Sequence, residues 1–202
     1  MPELSLVPER GRDPRSYFQG RVDHAWLEIG FGGGEHLLWQ AEAHCNIGMI
    51  GAEPYVSGVA KLLSKIAGPA GSLCSPSNIR LYMEDARDII EALPDASLGR
   101  VFILFPDPWP KTRHHKRRFI QIAMLDELAR VLKPGAEIRF ATDDQGYLVW
   151  ALERFAAHRS FLWLAEAAAD WRGRPHDWPQ TRYEAKAIKQ GRACSYLRFA
   201  RT

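Results

Sequence analysis

A chain of 202 residues, 46% hydrophobic, can bury one full core and is most simply one domain. No apolar run approaches the ~20 residues of a membrane span, Met1 to Gly20 lacks a signal-peptide apolar region, and Cys45, Cys74 and Cys194 are too widely spaced for a disulfide framework or a CxxC zinc site, so the sequence reads as cytoplasmic, reduced and metal-free, with no membrane partner. The net charge of +3 is uneven: residues 110–118 contribute +5 and residues 171–202 contribute +6, which leaves −8 for the rest and suits a polyanion bound on one face.

Residues 1–24 read as a lead segment ahead of a domain spanning 25–202. Ala25 to Ile29 reads as a strand, followed by glycines and a helix near Glu35 to His44. Ile47 to Ala52 is a second strand and Val56 to Ala67 a helix with apolar residues at helical spacing. Gly68 to Pro76 is a turn-rich connector. The strand Ile79 to Met83 and helix Ala86 to Leu93 repeat the unit, and Val101 to Phe105 is the fourth strand. Phe119 to Leu132 reads as a helix stopped by Lys133-Pro134-Gly135. The strand Ala136 to Ala141 and the helix Tyr147 to Ala157 follow, then strands Phe161 to Leu164 and Tyr196 to Ala200. Asp170 to Gln180, between those two strands, is a loop rich in Trp, Pro and Arg. Alternating strands and helices with apolar strands imply a mostly parallel sheet covered on both faces, an open α/β domain.

In such a sheet, ligands bind beyond the carboxyl ends of the strands. The first strand delivers Glu28-Ile-Gly30-Phe-Gly32-Gly-Gly34, the second ends at Glu53-Pro54, the third at Glu84-Asp85 and the fourth at Asp107. Gly30, Gly32 and Gly34 let backbone approach a ligand, and Glu53 stands at the right distance downstream to bond a ribose diol. A dinucleotide fingerprint needs glycine at 35, where this chain has Glu35, a carboxylate that would repel a pyrophosphate. An acid before the glycines suits a cationic, phosphate-free ligand such as S-adenosylmethionine, with Asp85 accepting from the adenine amino group. Asp85 equally fits the N-cap of the helix that starts at Ala86.

The fourth strand runs into Pro106-Asp-Pro-Trp-Pro110, in which three prolines hold Asp107 and Trp109 on a stiff corner. Behind it lie Lys111, Arg113, His114, His115, Lys116, Arg117 and Arg118, a phosphate-seeking run. A carboxylate and an indole beside such a run point to a reaction site for a nucleic-acid base.

Leu27-Glu-Ile-Gly-Phe-Gly-Gly-Gly34, Glu53-Pro54, Phe105 to Arg118, Thr142-Asp143 and Thr181-Arg-Tyr-Glu184 together resemble the bacterial tRNA (guanine-N7)-methyltransferases. The resemblance runs from about Trp26 to the C-terminus. It implies a Rossmann-like class I methyltransferase domain, a mostly parallel seven-stranded sheet whose last strand is antiparallel. It also implies methyl transfer from S-adenosylmethionine to the variable-loop guanine at position 46 of tRNA. By matched motif, Glu28, Glu53, Asp85 and Asp107 fall at cofactor positions, with Asp107 also catalytic. Lys111, Asp143 and Thr181, Arg182, Tyr183 and Glu184 fall at substrate positions, and Arg113 to Arg118 at the RNA-contacting segment. The partner is then tRNA, met by a monomer or a homodimer. Two departures stand out: the lead segment before Trp26 is short and only modestly basic, and Tyr183 stands where Phe is usual.

The chemistry of the residues agrees. Guanine N7 carries an in-plane lone pair and no proton, so attack on a sulfonium methyl needs alignment more than a general base. Nearby carboxylates stabilise the purine cation that forms, and Asp107, Asp143 and Glu184 can accept from N1–H and the amino group. Thr181 to Glu184 reads either as an extended loop with two faces or as a helix-start capping box. Thr142-Asp143 likewise fits a cap of the next helix. Trp171 and Trp178 suit base stacking or core packing. Two other functions fit parts of the pattern: an exocyclic-amine methyltransferase, from the likeness to an Asp/Asn-Pro-Pro-aromatic turn, and a non-catalytic RNA-binding module on the same fold.

Overall fold

Seven strands form one sheet in the computed structural model, which describes residues 4–19, 22–67 and 77–202. The elements in chain order are β1 (His24–Ile29), α1 (Glu35–Ala43), β2 (Ile47–Ala52), α2 (Val56–Ile66), β3 (Ile79–Tyr82), α3 (Ala86–Ala92), β4 (Leu98–Leu104), α4 (Ile122–Val131), β5 (Leu132–Thr142), α5 (Gln145–Ala157), β6 (Phe161–Trp163), α6 (Ala169–Arg172), α7 (Arg182–Lys189) and β7 (Ser195–Arg201). The sheet order is β3-β2-β1-β4-β5-β7-β6, parallel from β3 to β5, with β7 antiparallel to both β5 and β6. The fold class expected from the sequence is the one observed. The connector from Gly68 to Pro76, including Cys74, lies outside the described residues.

Successive strand side chains face opposite sides of the sheet, and this divides the core in two. Ala25, Leu27 and Ile29 pack with Ile89 of α3, Leu125 and Leu128 of α4 and Phe155 of α5. Trp26 and Phe102 pack with Leu37 of α1 and Leu62 of α2. Glu28 therefore falls on the α1 face.

The lead segment packs against the sheet. Ser5 bridges to Leu81 beside β3, Leu6 N–H donates to the Leu81 carbonyl at 2.8 Å, and Phe18 is buried in the core, where its ring fills the space above Gly48. Two departures from the sequence reading have clear causes. Helix α4 starts at Ile122, not Phe119, because the chain at Ile120 is spent on α5: its N–H donates to Tyr147 Oη at 3.2 Å and its carbonyl accepts from Trp150 Nε1 at 2.7 Å. Lys133-Pro134-Gly135 ends the helix but lies inside β5, as a break in register between the Leu98–Leu132 and Arg100–Glu137 pairs.

Candidate active site

The sheet order reverses at β1, between β2 and β4, and a cleft of about 440 Å³ opens beyond the strand ends there. Gly30, Gly32, Glu53, Asp85, Asp107, Arg182 and Tyr183 all line it. Glu53 is 5% exposed and spans two turns: Oε2 accepts from Gly32 N–H at 2.8 Å and Oε1 from Tyr55 N–H at 3.0 Å. Each oxygen keeps a further lone pair for a ligand hydroxyl. Gly32 has φ +55°, and a Cβ there would meet the Tyr183 ring at 2.8 Å, so a side chain would strain this turn and push the Tyr183 ring aside. A Cβ on Gly30 would meet no protein atom within 4 Å, so the space above this glycine is open to a ligand.

Two residues expected at the cofactor lie behind the cleft wall. Glu28, 3% exposed, turns its Oε2 to His36 Nδ1 at 2.7 Å, on the α1 face that strand alternation dictates. The chain of contacts runs on from His36 Nε2 to Gln40 Nε2 at 3.2 Å, and Gln40 donates to the Asp177 carbonyl at 3.0 Å. Gly34 caps α1 at φ +71° and packs on Leu62, which a Cβ would strike at 2.6 Å. Its task is helix packing. Glu35, at the start of α1, pairs with Lys65 at 2.8 Å. Burial pushes the Glu35 carboxyl up, but the Lys65 hydrogen bond and charge, with Arg182 nearby, outweigh it and hold the group below the usual carboxylate range.

Asp85 is the expected helix cap and stands at the cleft. It caps α3 by accepting from Arg87 N–H at 3.0 Å and pairs with the Arg87 guanidinium at 2.8 Å, while still lining the cleft. Asp107 is exposed at the next strand end, on a corner whose flanks are strained: Phe105 has φ +53° and Trp109 φ +43°. A left-handed non-glycine residue costs on the order of 1–3 kcal/mol, strain that the surrounding packing must hold. Trp109 lines the cleft too, with the Arg117 guanidinium 4.9 Å from its ring and His114 edge-on at 5.8 Å.

The basic run forms a 3-10 turn, Thr112–Arg117, preceded by exposed Lys111. Arg113, Lys116 and Arg117 are exposed, and His114 and His115 are half-buried, with His115 edge-on to Trp150 at 5.2 Å. Arg118 departs from expectation. It is 3% exposed and points inward, so it is not placed to meet a polyanion.

Thr181-Arg-Tyr-Glu184 is the start of a helix, not an extended loop. Thr181 Oγ1 accepts from Glu184 N–H at 3.2 Å and caps α7, one half of a capping box. The other half is missing, because the Glu184 carboxylate is buried elsewhere: it accepts from Tyr196 Oη at 2.6 Å and Arg174 Nε at 2.9 Å. Burial, then the Glu184 hydrogen bond and charge, pushes the Tyr196 phenol far above its ordinary pKa and keeps it the donor. Only Arg182 and Tyr183 of the four reach the cleft. Asp143 pairs with Arg192 at 2.8 Å, and the cap of α5 is its neighbour Asp144, which accepts from Tyr147 N–H at 2.7 Å. Trp178 belongs to the core, edge-on to Tyr196 at 5.8 Å.

Sequence reasoning missed Tyr55, Ser57 and Arg87 as cleft residues. Tyr55 directly follows Glu53-Pro54, so its place at a strand end was the signal that could have found it. Ser57 and Arg87 carry no local signal and enter only because their helices start at the rim.

A seven-stranded sheet with β7 reversed, and a cleft of glycines and carboxylates at its switch point, define a class I methyltransferase. Solved structures match this fold: the 16S rRNA methyltransferase KamB (TM-score 0.62, 17% identity, 98% of this chain and 96% of that one); and the W203A mutant of the Catenulisporales acidiphilia 16S rRNA (adenine(1408)-N(1))-methyltransferase with cosubstrate SAM (0.54, 17%, 98% and 96%). Residues 23–197 match the family described as "Putative methyltransferase". The chain is 53% identical over 201 residues to the tRNA (guanine-N(7)-)-methyltransferase of Rhodospirillum rubrum, spanning 100% of this chain and 77% of that one. It is 52% identical over 195 residues to that of Ruegeria sp. strain TM1040, spanning 96% and 73%. The chain belongs to the tRNA (guanine-N(7)-)-methyltransferase family.

Proposed function

We propose that this protein transfers a methyl group from S-adenosylmethionine to N7 of the guanine at position 46 in the variable loop of tRNA, in the cytoplasm. One juxtaposition carries the reading: the exposed Asp107 carboxylate lines the same cleft as the Glu53-held glycine turn, one turn of chain from the exposed cations Arg113, Lys116 and Arg117.

The cleft fits the cofactor by its donor set. Glu53 offers lone pairs to a ribose diol, Asp85 accepts from an amino group, and three carboxylates suit a cation rather than a pyrophosphate. When bound, S-adenosylmethionine supplies an electrophilic methyl carbon on a positively charged sulfur. The residues of the chain supply alignment and field. Among the described residues the Asp107 carboxylate has no hydrogen-bond partner, so it is free to accept from guanine and to stabilise the positive charge that the purine acquires as its lone pair is spent. Trp109, Arg182 and Tyr183 bound the space where the base must enter. Lys111, exposed at the start of the basic turn, is available to a tRNA phosphate. Thr181 and Glu184 serve the substrate indirectly, by capping and anchoring the helix that presents Arg182 and Tyr183.

The reading is tested by incubating the protein with methyl-labelled S-adenosylmethionine and bulk tRNA and identifying the modified nucleoside. N7-methylguanosine is expected. A methylated exocyclic amine, or no incorporation with RNA binding intact, would replace it with one of the other two functions.

A further inference from the structure

Arg118 ends a run of five cations in nine residues, yet its side chain is 3% exposed, while Lys111, Arg113, Lys116 and Arg117 are exposed. Its Nε donates to the Pro108 carbonyl at 2.8 Å and Nη1 to the Gly146 carbonyl at 3.3 Å. The guanidinium carbon lies 5.1 Å from the centroid of the Tyr147 ring and 5.0 Å from that of Trp150. Among the described residues no carboxylate pairs with it, so carbonyl dipoles and ring faces hold the cation. It thus ties the proline corner to the first turns of α5.

The corner has few other ties. Pro106, Pro108 and Pro110 have no N–H to donate. Among the described residues, two hydrogen bonds hold Phe105 to Trp109: Phe105 N–H to the Ala141 carbonyl at 2.8 Å, before Asp107, and Arg118 Nε to the Pro108 carbonyl, directly after it. Both flanking residues are in the left-handed region, from which an unfastened chain would relax.

We propose that Arg118 is a positioning residue that holds the Asp107 corner in its working geometry, and not a contact to RNA. The proposal rests on the reading of Asp107 as the catalytic carboxylate. A guanidinium fork between two carbonyls and two ring faces is a demand that lysine cannot meet, whereas a phosphate accepts lysine as a point charge. The two roles therefore separate at Arg118→Lys.

The test compares R118K, R118M, R117M and D107N in methyl transfer to tRNA and in tRNA binding across salt concentrations. R118K and R118M should both lose about 10²-fold in kcat, the scale of a misplaced reacting group. Their tRNA affinity, KM and salt slope should stay at wild type. R117M should lower the log–log salt slope of tRNA binding by about 0.7–0.9. Wild-type activity in R118K, or a reduced slope in R118M, would overturn the proposal. Activity lost in D107N alone would overturn it while leaving the Asp107 reading intact, and full activity in D107N would remove both. Phenylglyoxal footprinting of the wild-type protein guards against misfolded variants. Arg113 and Arg117 should react and be protected by tRNA, while Arg118 should stay unreactive with or without it. Protection of a reactive Arg118 by tRNA would overturn the proposal independently of any variant.

Discussion

Glu28 and His36 form a pair sealed inside the protein, with Oε2 and Nδ1 2.7 Å apart and side-chain exposures of 3% and 1%. The pair joins the end of β1 to the first turn of α1, on either side of the glycine turn, and Gln40 carries the connection to the backbone at Asp177. The acid that precedes the glycines thus acts from beneath the loop. Glu53, whose carboxylate lines the cleft, holds the same loop from the ligand side.

This division predicts different outcomes for two similar substitutions. Glu28→Ala leaves His36 without its buried partner and should cost about 1–3 kcal/mol of folding stability. Any loss of S-adenosylmethionine affinity should follow from the displaced loop. Glu53→Ala should weaken cofactor binding by about 1.5–3 kcal/mol, one charge-assisted bond, with a smaller stability loss. Denaturant melts and calorimetric titration of both variants would check this. Equal cofactor affinity in wild type and E53A would contradict it.

Acid should destabilise the protein through Glu137. Its carboxylate lies 2.7 Å from Arg198, 3.1 Å from Arg139 and 3.5 Å from Arg100. Burial raises its pKa, but the Arg198 hydrogen bond and the Arg139 charge outweigh burial and hold it below the ordinary range. The unfolded chain therefore binds this proton at higher pH than the folded one. The stabilisation is complete above the ordinary glutamate value of about 4.3 and is lost as pH falls through the folded value. The urea midpoint should be insensitive to this group between neutral pH and about 5 and should then decline. In Glu137→Gln that decline should be shallower, from a midpoint already lowered at neutral pH.

The exposed part of the basic run should govern the salt dependence of tRNA binding. Neutralising Arg113, Lys116 and Arg117 together should lower the log–log slope by roughly 0.7–0.9 for each phosphate left unneutralised, with cofactor affinity unchanged. Filter binding across a salt series reads this directly. A wild-type slope in the triple variant would make the run a solvated face.

The nucleophile is tested by the substrate. Replacing the target guanine with 7-deazaguanine removes the reacting nitrogen but keeps N1–H, the amino group and the phosphates. Binding should persist and methyl transfer should cease. Asp107→Asn keeps the corner but loses its charge, and should lower the rate by about 10²–10³-fold with tRNA affinity little changed. Methylation of the 7-deaza substrate would move the reaction to an exocyclic amine.

Much of this protein is legible along the chain, because the signals are local. Short continuous apolar runs mark the strands and apolar residues at period 3.6 mark the helices, and their alternation defines the sheet class. Glycines at 30, 32 and 34, the acid at 53 and the proline corner around Asp107 mark strand ends by their chemistry, and Glu53, Asp85 and Asp107 do meet in one cleft. The capping of α3 by Asp85 and of α7 by Thr181 is equally readable, since caps depend on only a few consecutive residues.

What sequence could not decide is which way each charged side chain points, because that depends on partners far away in the chain. Glu28 turns to α1 because strand alternation and His36 place it there, and Glu184 turns inward because Tyr196 and Arg174 wait for it. Arg118 is indistinguishable from Arg117 in a row of cations. Only the packing of α5 against the proline corner, which sets two carbonyls and two aromatic rings around it, makes one arginine an interior strut and leaves the other to solvent.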